Sequence, residues 1–421
     1  MEILMHPLRV LLVTLFAAAI TTSATTLIGV ATPAGAATGS IWQVETTVNP
    51  HTAATFSSTT FFSSVSASGT DDAWAVGTTT NSHAVNQPLA EHWNGTTWSV
   101  VTLPLPVGQT SATLSGVDDL SPTDAWAVGS FNSSQSLTLI EHWNGTSWSV
   151  VPSPNPVTGT PGDGDELTAI AGTGPNDLWA AGSDTLADSG GGEIQLLFEH
   201  FNGTSWTGAT SPADDGGGVA SAITAISPDD FWAVGSFSGG GSNDLAAQWN
   251  GIKWSIATVP NITTSSTGGL NHLTGISADG PDDVWASGYA ADTSNSNFNV
   301  PGLLHWNGAT WTAAKVPNLG GEGSLLLAVQ VLSPNDAWSV GQTQSLNGKI
   351  TTLTQQFNGK KWSIVTSPDP GKTGGIGDRI VDNSLESIGS AGGGNLFAVG
   401  QRGAPQRQCC VRTLAIGTTL G

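Results

Sequence analysis

Short apolar stretches separated by turn residues recur from about residue 40 to the end of the chain. Stretches of four to eight residues bounded by Gly, Pro, Asn or Asp are typical of β-strands. In one of them Trp126 and Val128 alternate with small residues, so both faces of the strand are apolar or small, which predicts burial on both sides. The four predicted strands of this unit are Leu114–Leu120, Ala125–Ser130, Leu137–Trp143 and Trp148–Val151.

The unit repeats at a nearly constant interval, and aromatic residues mark each copy. The second strand carries Trp74, Trp126, Trp179, Trp232, Trp285, Trp338 and Phe397, mostly 52 or 53 residues apart. The fourth strand begins at Trp98, Trp148, Trp206, Trp254, Trp311 and Trp362. A fixed interval near 50 residues indicates stacked copies of one supersecondary unit.

The last unit, around Phe397, lacks a fourth strand, whereas the chain has an extra one near its start, around Trp42. An open row of repeats needs polar caps at both ends, while a ring needs its first and last units joined. We therefore expect the N-terminal strand to complete the C-terminal sheet. The prediction is an all-β fold, a seven-bladed β-propeller of four-stranded antiparallel blades over residues 37–421.

Turn residues support this division into strands. A Pro two or three residues before the second strand presets a turn, as at Pro122, and Asn-Gly lies between the third and fourth strands, as at Asn144. Asn-Gly between two apolar runs is a hairpin signal. In this arrangement the first–second and third–fourth connections share one rim, here called the turn rim. The remaining connections share the opposite rim, the loop rim, and they vary between units.

The tryptophans are predicted to form the core rather than to hold a ligand. All 17 lie in the second, third or fourth strands of this frame, and Trp42 and the aromatic residues of the second and fourth strands are the predicted core set. Burial of one aromatic side chain removes about 150–250 Å² from water, which stabilises the fold.

The N-terminal residues 1–36 are predicted to be a secretory signal peptide. Arg9 supplies positive charge, Val10–Ile20 is largely apolar, and Ala34-Gly35-Ala36 fits a cleavage site for small residues. We therefore expect a secreted, extracellular bacterial protein without a membrane span. Cys409 and Cys410, the only cysteines, are adjacent and offer no disulfide framework, so the core must supply the stability.

The net charge of −21 disfavours nucleic acid and anionic membranes as partners. Many of the acidic residues are the turn aspartates of the repeat, so the architecture explains much of this charge. A cationic partner or a divalent ion stays open.

The repeated Asp-x-Trp-Ala-x-Gly, followed by Asn-Gly-x-x-Trp, resembles secreted propellers of the kelch and galactose-oxidase-like group and the tectonin-like lectins. Asn144 to Trp148 is also similar to the end of a sialidase Asp-box, with Asn144 in place of its aspartate. The resemblance implies a propeller. Sialidases need three arginines from different blades and a tyrosine nucleophile, and galactose oxidase needs two tyrosines. The arginines after residue 36 all follow residue 378, and Tyr289 is the single tyrosine, so both activities are excluded.

The sequence gives little support for a metal site or a catalytic site. His92, His142, His200 and His305 recur at one place in the third strand, where equivalent positions are too far apart to share a metal, so a repeated structural role is favoured. Asp163, Asp165 and Glu166 could form a calcium loop, but a solvated acidic turn is favoured. We expect no catalytic residue, no metal and no cofactor.

Binding is instead expected on the loop rim, because variation between repeats on one face is typical of binding surfaces. His272, Tyr289 and Phe298 are the predicted ligand-binding residues, on this rim or at the mouth of a central channel. The leading interpretation is a non-enzymatic, monomeric scaffold that binds protein or carbohydrate. The alternatives are a tectonin-like lectin, which requires exposed tryptophans in repeated pockets, and a polysaccharide lyase or glycoside hydrolase, for which His272 and the acidic residues 163, 165 and 166 are candidates.

Overall fold

The computed structural model consists of strands throughout the residues that it describes. These are residues 41–49, 59–80, 83, 85–132, 135–155, 164–186, 193–212, 217–237, 244–262, 271–291, 299–317, 323–346, 348–370, 383–403 and 411–418. The predicted signal peptide lies outside these ranges. Within them, no helix has the length and apolar character needed to cross a bilayer.

The described ranges contain 28 strands, and each repeat unit contributes four positions, a to d. The a-strands are β2 (Thr60–Gly69), β6 (Ala112–Ser121), β10 (Gly164–Gly174), β14 (Gly218–Ser227), β18 (Asn271–Gly280), β22 (Gly323–Ser333) and β26 (Asn383–Gly392). The b-strands are β3 (Asp72–Thr80), β7 (Asp124–Asn132), β11 (Asp177–Leu186), β15 (Asp230–Phe237), β19 (Asp283–Ala291), β23 (Asp336–Gln344) and β27 (Asn395–Gly403).

The c-strands and d-strands complete the units. The c-strands are β4 (Asn86–Trp93), β8 (Ser136–Trp143), β12 (Glu193–Phe201), β16 (Asp244–Trp249), β20 (Asn299–Trp306), β24 (Ile350–Phe357) and β28 (Val411–Thr418). The d-strands are β1 (Trp42–Glu45), β5 (Trp98–Val100), β9 (Trp148–Val151), β13 (Trp206–Ala209), β17 (Trp254–Ala257), β21 (Trp311–Ala313) and β25 (Trp362–Val365). In the second unit the a-, b- and c-strands extend one or two residues beyond the predicted ends, because strand pairing continues into the flanking polar residues.

Within each unit the strands pair antiparallel in the order a, b, c, d. The sequence predicts seven separate sheets, but the described residues form six hydrogen-bonded sheets, five of four strands and one of eight. The larger sheet arises because β8 of the second unit meets β10 of the third in a parallel contact of one residue pair, Ser136 with Gly164. The architecture is that of a β-propeller with four-stranded antiparallel blades.

The first and last units contact each other directly. Strand β1 pairs antiparallel with β28 over four residues, from Trp42 opposite Thr418 to Glu45 opposite Ala415. Strand β2 also contacts β26, where the backbone N–H of Val65 donates to Ser387 Oγ at 3.2 Å.

The core lies between neighbouring blades rather than within one. Each hydrophobic cluster of the described residues combines side chains of two successive units, and one cluster joins Phe62 and Trp98 of the first unit to Phe397 and Ala415 of the last. The aromatic residues of the predicted core set are buried, with exposed fractions between 0% and 7%. The wedge between two twisted sheets is widest away from the axis, and the large indole rings fill it.

Candidate functional site

Every a-strand carries a bulge at the same place in the repeat. The pairing between strands a and b shifts register there, so that one extra residue of strand a has no partner. The seven extra residues, here called the bulge ring, are Ser63, Ser115, Thr168, Ser221, Thr274, Leu327 and Glu386. Bulges bend a strand and redirect side chains, and they are frequent at binding sites.

The glycine of the repeated Asp-x-Trp-Ala-x-Gly stretch makes room for the bulge. In the second unit Gly129 pairs with Leu114, directly before the shift. A Cβ at Gly129 would lie 2.0 Å from the carbonyl oxygen of Thr113, which no side chain could tolerate. The equivalent glycine of each other unit meets the same obstacle, at 1.9 to 2.2 Å. The glycine is thus needed because the two strands approach closely where the bulge ring forms.

The bulge ring lines one cavity. Together with the residues that follow them, all seven members surround a space of about 180 Å³, which we call the channel. A second space of about 460 Å³, the channel mouth, is lined by Phe61, Ser63, Ser221, Thr274, Leu327, Glu386 and Gln401. Phe61 lies near the start of an a-strand and Gln401 near the end of a b-strand, so the mouth is on the side of the loop rim.

Hydroxyl groups dominate the bulge ring, and two of them connect neighbouring blades. Thr168 Oγ1 lies 2.6 Å from the carbonyl oxygen of Ala220 in the next unit, and Thr274 Oγ1 lies 2.7 Å from that of Leu326. The same hydroxyl also lies near a carbonyl oxygen of its own b-strand, at 3.0 Å from that of Ala181 in the first case, so its single proton is shared between two acceptors. The threonines therefore fix the spacing of the a-strands while their remaining lone pairs stay available to a ligand.

Glu386 is the acidic member of the bulge ring. Its side chain is half-buried, and burial raises its pKa above the ordinary value because a low dielectric disfavours the charged form. The four ion pairs between histidine and aspartate in the described residues do not involve Glu386.

The predicted rim residues His272 and Tyr289 lie together, but neither is among the residues that line the channel or its mouth. They are opposite each other in the pairing of β18 and β19, and their rings stack at 5.6 Å between centroids with an interplanar angle of 15°. His272 Nε2 is 3.3 Å from Ser236 Oγ of the preceding unit. Burial lowers the pKa of His272 and raises that of Tyr289, so at neutral pH both side chains are uncharged. The third predicted residue, Phe298, lies outside the described residues.

The recurrent histidines make the same contact in four units. The Nε2 atoms of His92, His142, His200 and His305 lie 2.6 to 2.8 Å from the aspartate that begins the neighbouring b-strand. In two other units a glutamine replaces the histidine, and Gln248 Nε2 donates to Asp230 at 2.9 Å. The His142 ring also stacks on Trp126 at 4.2 Å. An amide can therefore replace the imidazole, which is consistent with a structural role for these histidines.

A buried carboxyl precedes three of these histidines. Glu91, Glu141 and Glu199 are fully buried in the c-strands, and burial raises the pKa of Glu91 to about 7 and those of the other two to about 8. Glu91 Oε2 accepts from the backbone N–H of Val48, and Glu199 Oε2 accepts from Ser153 Oγ. Neither carboxyl oxygen of Glu141 has a hydrogen-bond partner among the described residues.

The acidic stretch that suggested a calcium loop is not a solvated turn where it is described. Residues 164–174 form strand β10, with Asp165 fully buried and Glu166 exposed. Adjacent strand residues point to opposite faces, so these two carboxylates cannot share an ion. Asp163 lies outside the described residues. Within the described part of the chain no three His, Cys, Asp or Glu residues gather as metal ligands.

Sequence reasoning missed the bulge ring, although the repeat contains its signal. Each member lies eleven residues before the aromatic residue of its b-strand, as Ser63 does before Trp74 and Glu386 before Phe397. Aligning the units on those aromatics shows Ser or Thr in five of them and Leu or Glu in the other two. The variation was visible, but its location in a channel depended on the bulge.

Comparison with known proteins supports the fold. Neither the protein-family comparison nor the search of curated proteins finds a match to this chain. A solved structure of YCF48 bound to D1 peptide is 16% identical, with a TM-score of 0.51, over 90% of this chain and 97% of that one. YCF48 from Cyanidioschyzon merolae is 14% identical, with a TM-score of 0.48, over 90% and 98% of the two chains. A PL25 ulvan lyase is 10% identical, with a TM-score of 0.49, over 70% and 78%. At 16% identity the likeness to YCF48 bound to D1 peptide concerns the fold alone, and the two likenesses with a TM-score below 0.5 carry no argument.

Proposed function

We propose that this protein is a secreted, non-enzymatic, seven-bladed propeller that acts as a binding scaffold for a protein or carbohydrate ligand. The ligand docks at the channel mouth on the loop rim. The observation that carries this proposal is the channel wall, where all seven units contribute one bulge residue, five of them hydroxyls, to one cavity. Polar groups converging in a concave space are typical of ligand sites.

The strand positions support the part of this proposal that concerns seven blades in a closed ring. The eight-stranded sheet is held by one residue pair between two complete four-strand units, so it counts as two blades. The pairing of β1 with β28 and the contact of β2 with β26 join the ends. A hydrophobic cluster between first and last units supports the same closure.

Filling the mouth tests where the ligand binds. Leu327→Trp places a bulky ring in the channel mouth, and Ile252→Trp is its matched control, because Ile252 is 82% exposed in a hairpin of the turn rim. We expect Leu327→Trp to abolish capture of partners from a glycan array and a protein pull-down, and Ile252→Trp to leave it unchanged. Near-identical melting temperatures would show that both variants fold. The opposite pattern of binding would place the site on the turn rim.

A polysaccharide lyase or glycoside hydrolase is the second candidate, and the His272–Tyr289 pair favours it. A neutral imidazole stacked on a phenol could supply a base and an acid. Release of reducing ends from a polysaccharide panel, lost in both His272→Asn and Tyr289→Phe, would establish this activity. The tectonin-like lectin gains less support, because the tryptophans of the b- and d-strands are buried.

A further inference from the structure

The channel mouth combines one carboxylate with apolar side chains. Glu386 lies on β26, between β22 with Leu327 on one side and β2 with Phe61 and Ser63 on the other. Gln401 completes the wall beside them. The site thus offers an aliphatic and an aromatic surface, uncharged hydrogen-bonding groups and a single acidic group.

Glu386 has no counter-charge among the described residues. The histidine–aspartate pairs of the described residues do not reach this carboxylate. A charged group removed from water is costly unless it is paired. A cation that enters the mouth would remove this cost, whereas a neutral ligand would leave it in place.

The apolar walls restrict the kind of cation. Lysine and arginine carry a long aliphatic stem with a charged tip, and such side chains pack the stem on apolar surface while the tip stays in a polar environment. Phe61 and Leu327 can cover the stem, while Glu386, Ser63 and Gln401 can accept hydrogen bonds from the tip. The net charge of −21 would attract a basic partner over a distance.

We propose that the channel mouth receives a lysine or arginine side chain of a protein partner, with the Glu386 carboxylate as its counter-ion. This proposal rests on the proposed binding function and names the partner for the same site. A carbohydrate is less suited, because hydroxyl groups alone do not neutralise the carboxylate.

Octalysine is the probe, and its binding is measured by calorimetry at low salt. We expect Glu386→Gln to weaken binding about tenfold or more, since a hydrogen bond to a charged group contributes about 1.5–3 kcal/mol. Asp282→Asn is the matched control, because it removes the same charge from an exposed position on the turn rim. Glu386→Asp keeps the charge and should retain binding within a few-fold. This variant shows whether weaker binding of Glu386→Gln comes from the lost charge or from a general effect of substitution at this position.

Four outcomes would overturn the proposal. The first is no octalysine binding by the unaltered protein, and the second is an equal effect, or none, in Glu386→Gln and Asp282→Asn, which would indicate surface attraction only. The third is equal binding of Nε-acetylated octalysine, which lacks the charge. The fourth is tighter binding of a glucosamine hexamer than of octalysine, with the same dependence on Glu386. This result would indicate that the ligand is an amino sugar and not a protein side chain.

The proposed function can survive the failure of this inference. If Leu327→Trp abolishes partner capture while Glu386→Gln does not, the mouth is a binding site for a ligand of another chemistry. If neither substitution changes partner capture, both the site and its proposed ligand are wrong.

Discussion

At the residue scale, one turn-rim aspartate connects three side chains. Asp124 Oδ1 accepts from Trp126 Nε1 at 3.0 Å and from His142 Nε2 at 2.8 Å, and the imidazole stacks on the indole. Trp126 in turn packs in the cluster between the second and third units. In this unit the aspartate therefore links strand pairing within a blade to packing between blades. The bond to the indole recurs at Asp283 and Trp285, whereas a bond from histidine or glutamine to the equivalent aspartate is present in six units.

Removal of the Asp124 carboxylate should lower the free energy of unfolding, whereas replacement of His142 should leave it almost unchanged. We expect Asp124→Ala to lower the free energy of unfolding by about 1–3 kcal/mol, because it leaves the Trp126 and His142 N–H groups unpaired. His142→Gln should change it by less than about 0.5 kcal/mol, as the Gln248–Asp230 pair shows that the amide reaches the same acceptor. Urea unfolding followed by circular dichroism measures both. Equal losses in the two variants would contradict a role centred on the aspartate.

At the element scale, the short strand β1 and the four residues after it contact three units. It pairs with β28, and Trp42 meets Trp338 of the sixth unit edge-to-face at 5.6 Å. In the segment after it, the backbone N–H of Val48 donates to Glu91 of the first unit, while Asn49 Oδ1 accepts from the backbone N–H of Thr413 in the last unit. Few elements of this size join so many parts of the chain.

Removal of β1 should therefore destabilise the whole propeller. We expect a chain that begins at residue 46 to melt well below one that begins at residue 37, since it loses a buried tryptophan, worth about 3–5 kcal/mol, and exposes the edge of β28. Differential scanning fluorimetry and light scattering would show the lower melting temperature and increased aggregation. Equal melting temperatures would mean that β1 is not needed to join the ends.

The c–d hairpins form as the Asn-Gly pattern predicts, and a side-chain contact of the asparagine holds each turn. In the second unit Asn144 Oδ1 accepts from the backbone N–H groups of Thr146 and Ser147, both at 3.0 Å, and Gly145 has a φ of 86°. The side chain thus imitates a backbone acceptor, and the glycine adopts a conformation that other residues avoid. These contacts are local, which is why the sequence pattern was sufficient to predict them.

At the scale of the whole molecule, buried carboxyl groups dominate the electrostatics. Burial raises the pKa values of Glu91 and Asp244 to about 7 and those of Asp119, Glu141 and Glu199 to about 8. In the unfolded chain such groups titrate near their ordinary values of 3.8 for Asp and 4.5 for Glu. The folded protein therefore holds more protons than the unfolded chain between these limits.

Stability should consequently fall as the pH rises. Where the folded state binds more protons, the free energy of unfolding decreases with pH, so we expect the highest melting temperature near pH 4–5 and a progressive loss up to about pH 8. Glu141→Gln should reduce this loss, because the amide stays neutral while the buried carboxyl must ionise. Melting temperatures measured from pH 4 to pH 9 test both statements. A melting temperature that rises over this range would contradict them.

Much of the architecture could be predicted from local pattern. The aromatic interval indicated the number of repeats, the alternation in each stretch indicated strands buried on both faces, and the turn residues separated them. The aspartates and histidines of the repeat could be assigned a structural part because equivalent positions in a propeller lie far apart. His272 and Tyr289 were predicted to bind a ligand because their unit departs from the common pattern, and that role stays a prediction.

The sequence by itself thus determined the repeat, the strand order and the core aromatics, since these depend on contacts within one unit or between identical units. Only the tertiary structure decided that Ser63, Thr168 and Glu386 share a cavity, because each reaches it through a bulge produced by pairing with a neighbouring strand. Asp165 is a second case in which local sequence was insufficient. The acidic residues around it suggested a solvated turn, whereas its side chain is buried in strand β10. Residues far apart in the chain meet only when every blade is in place, and no local pattern records which of them will face one another.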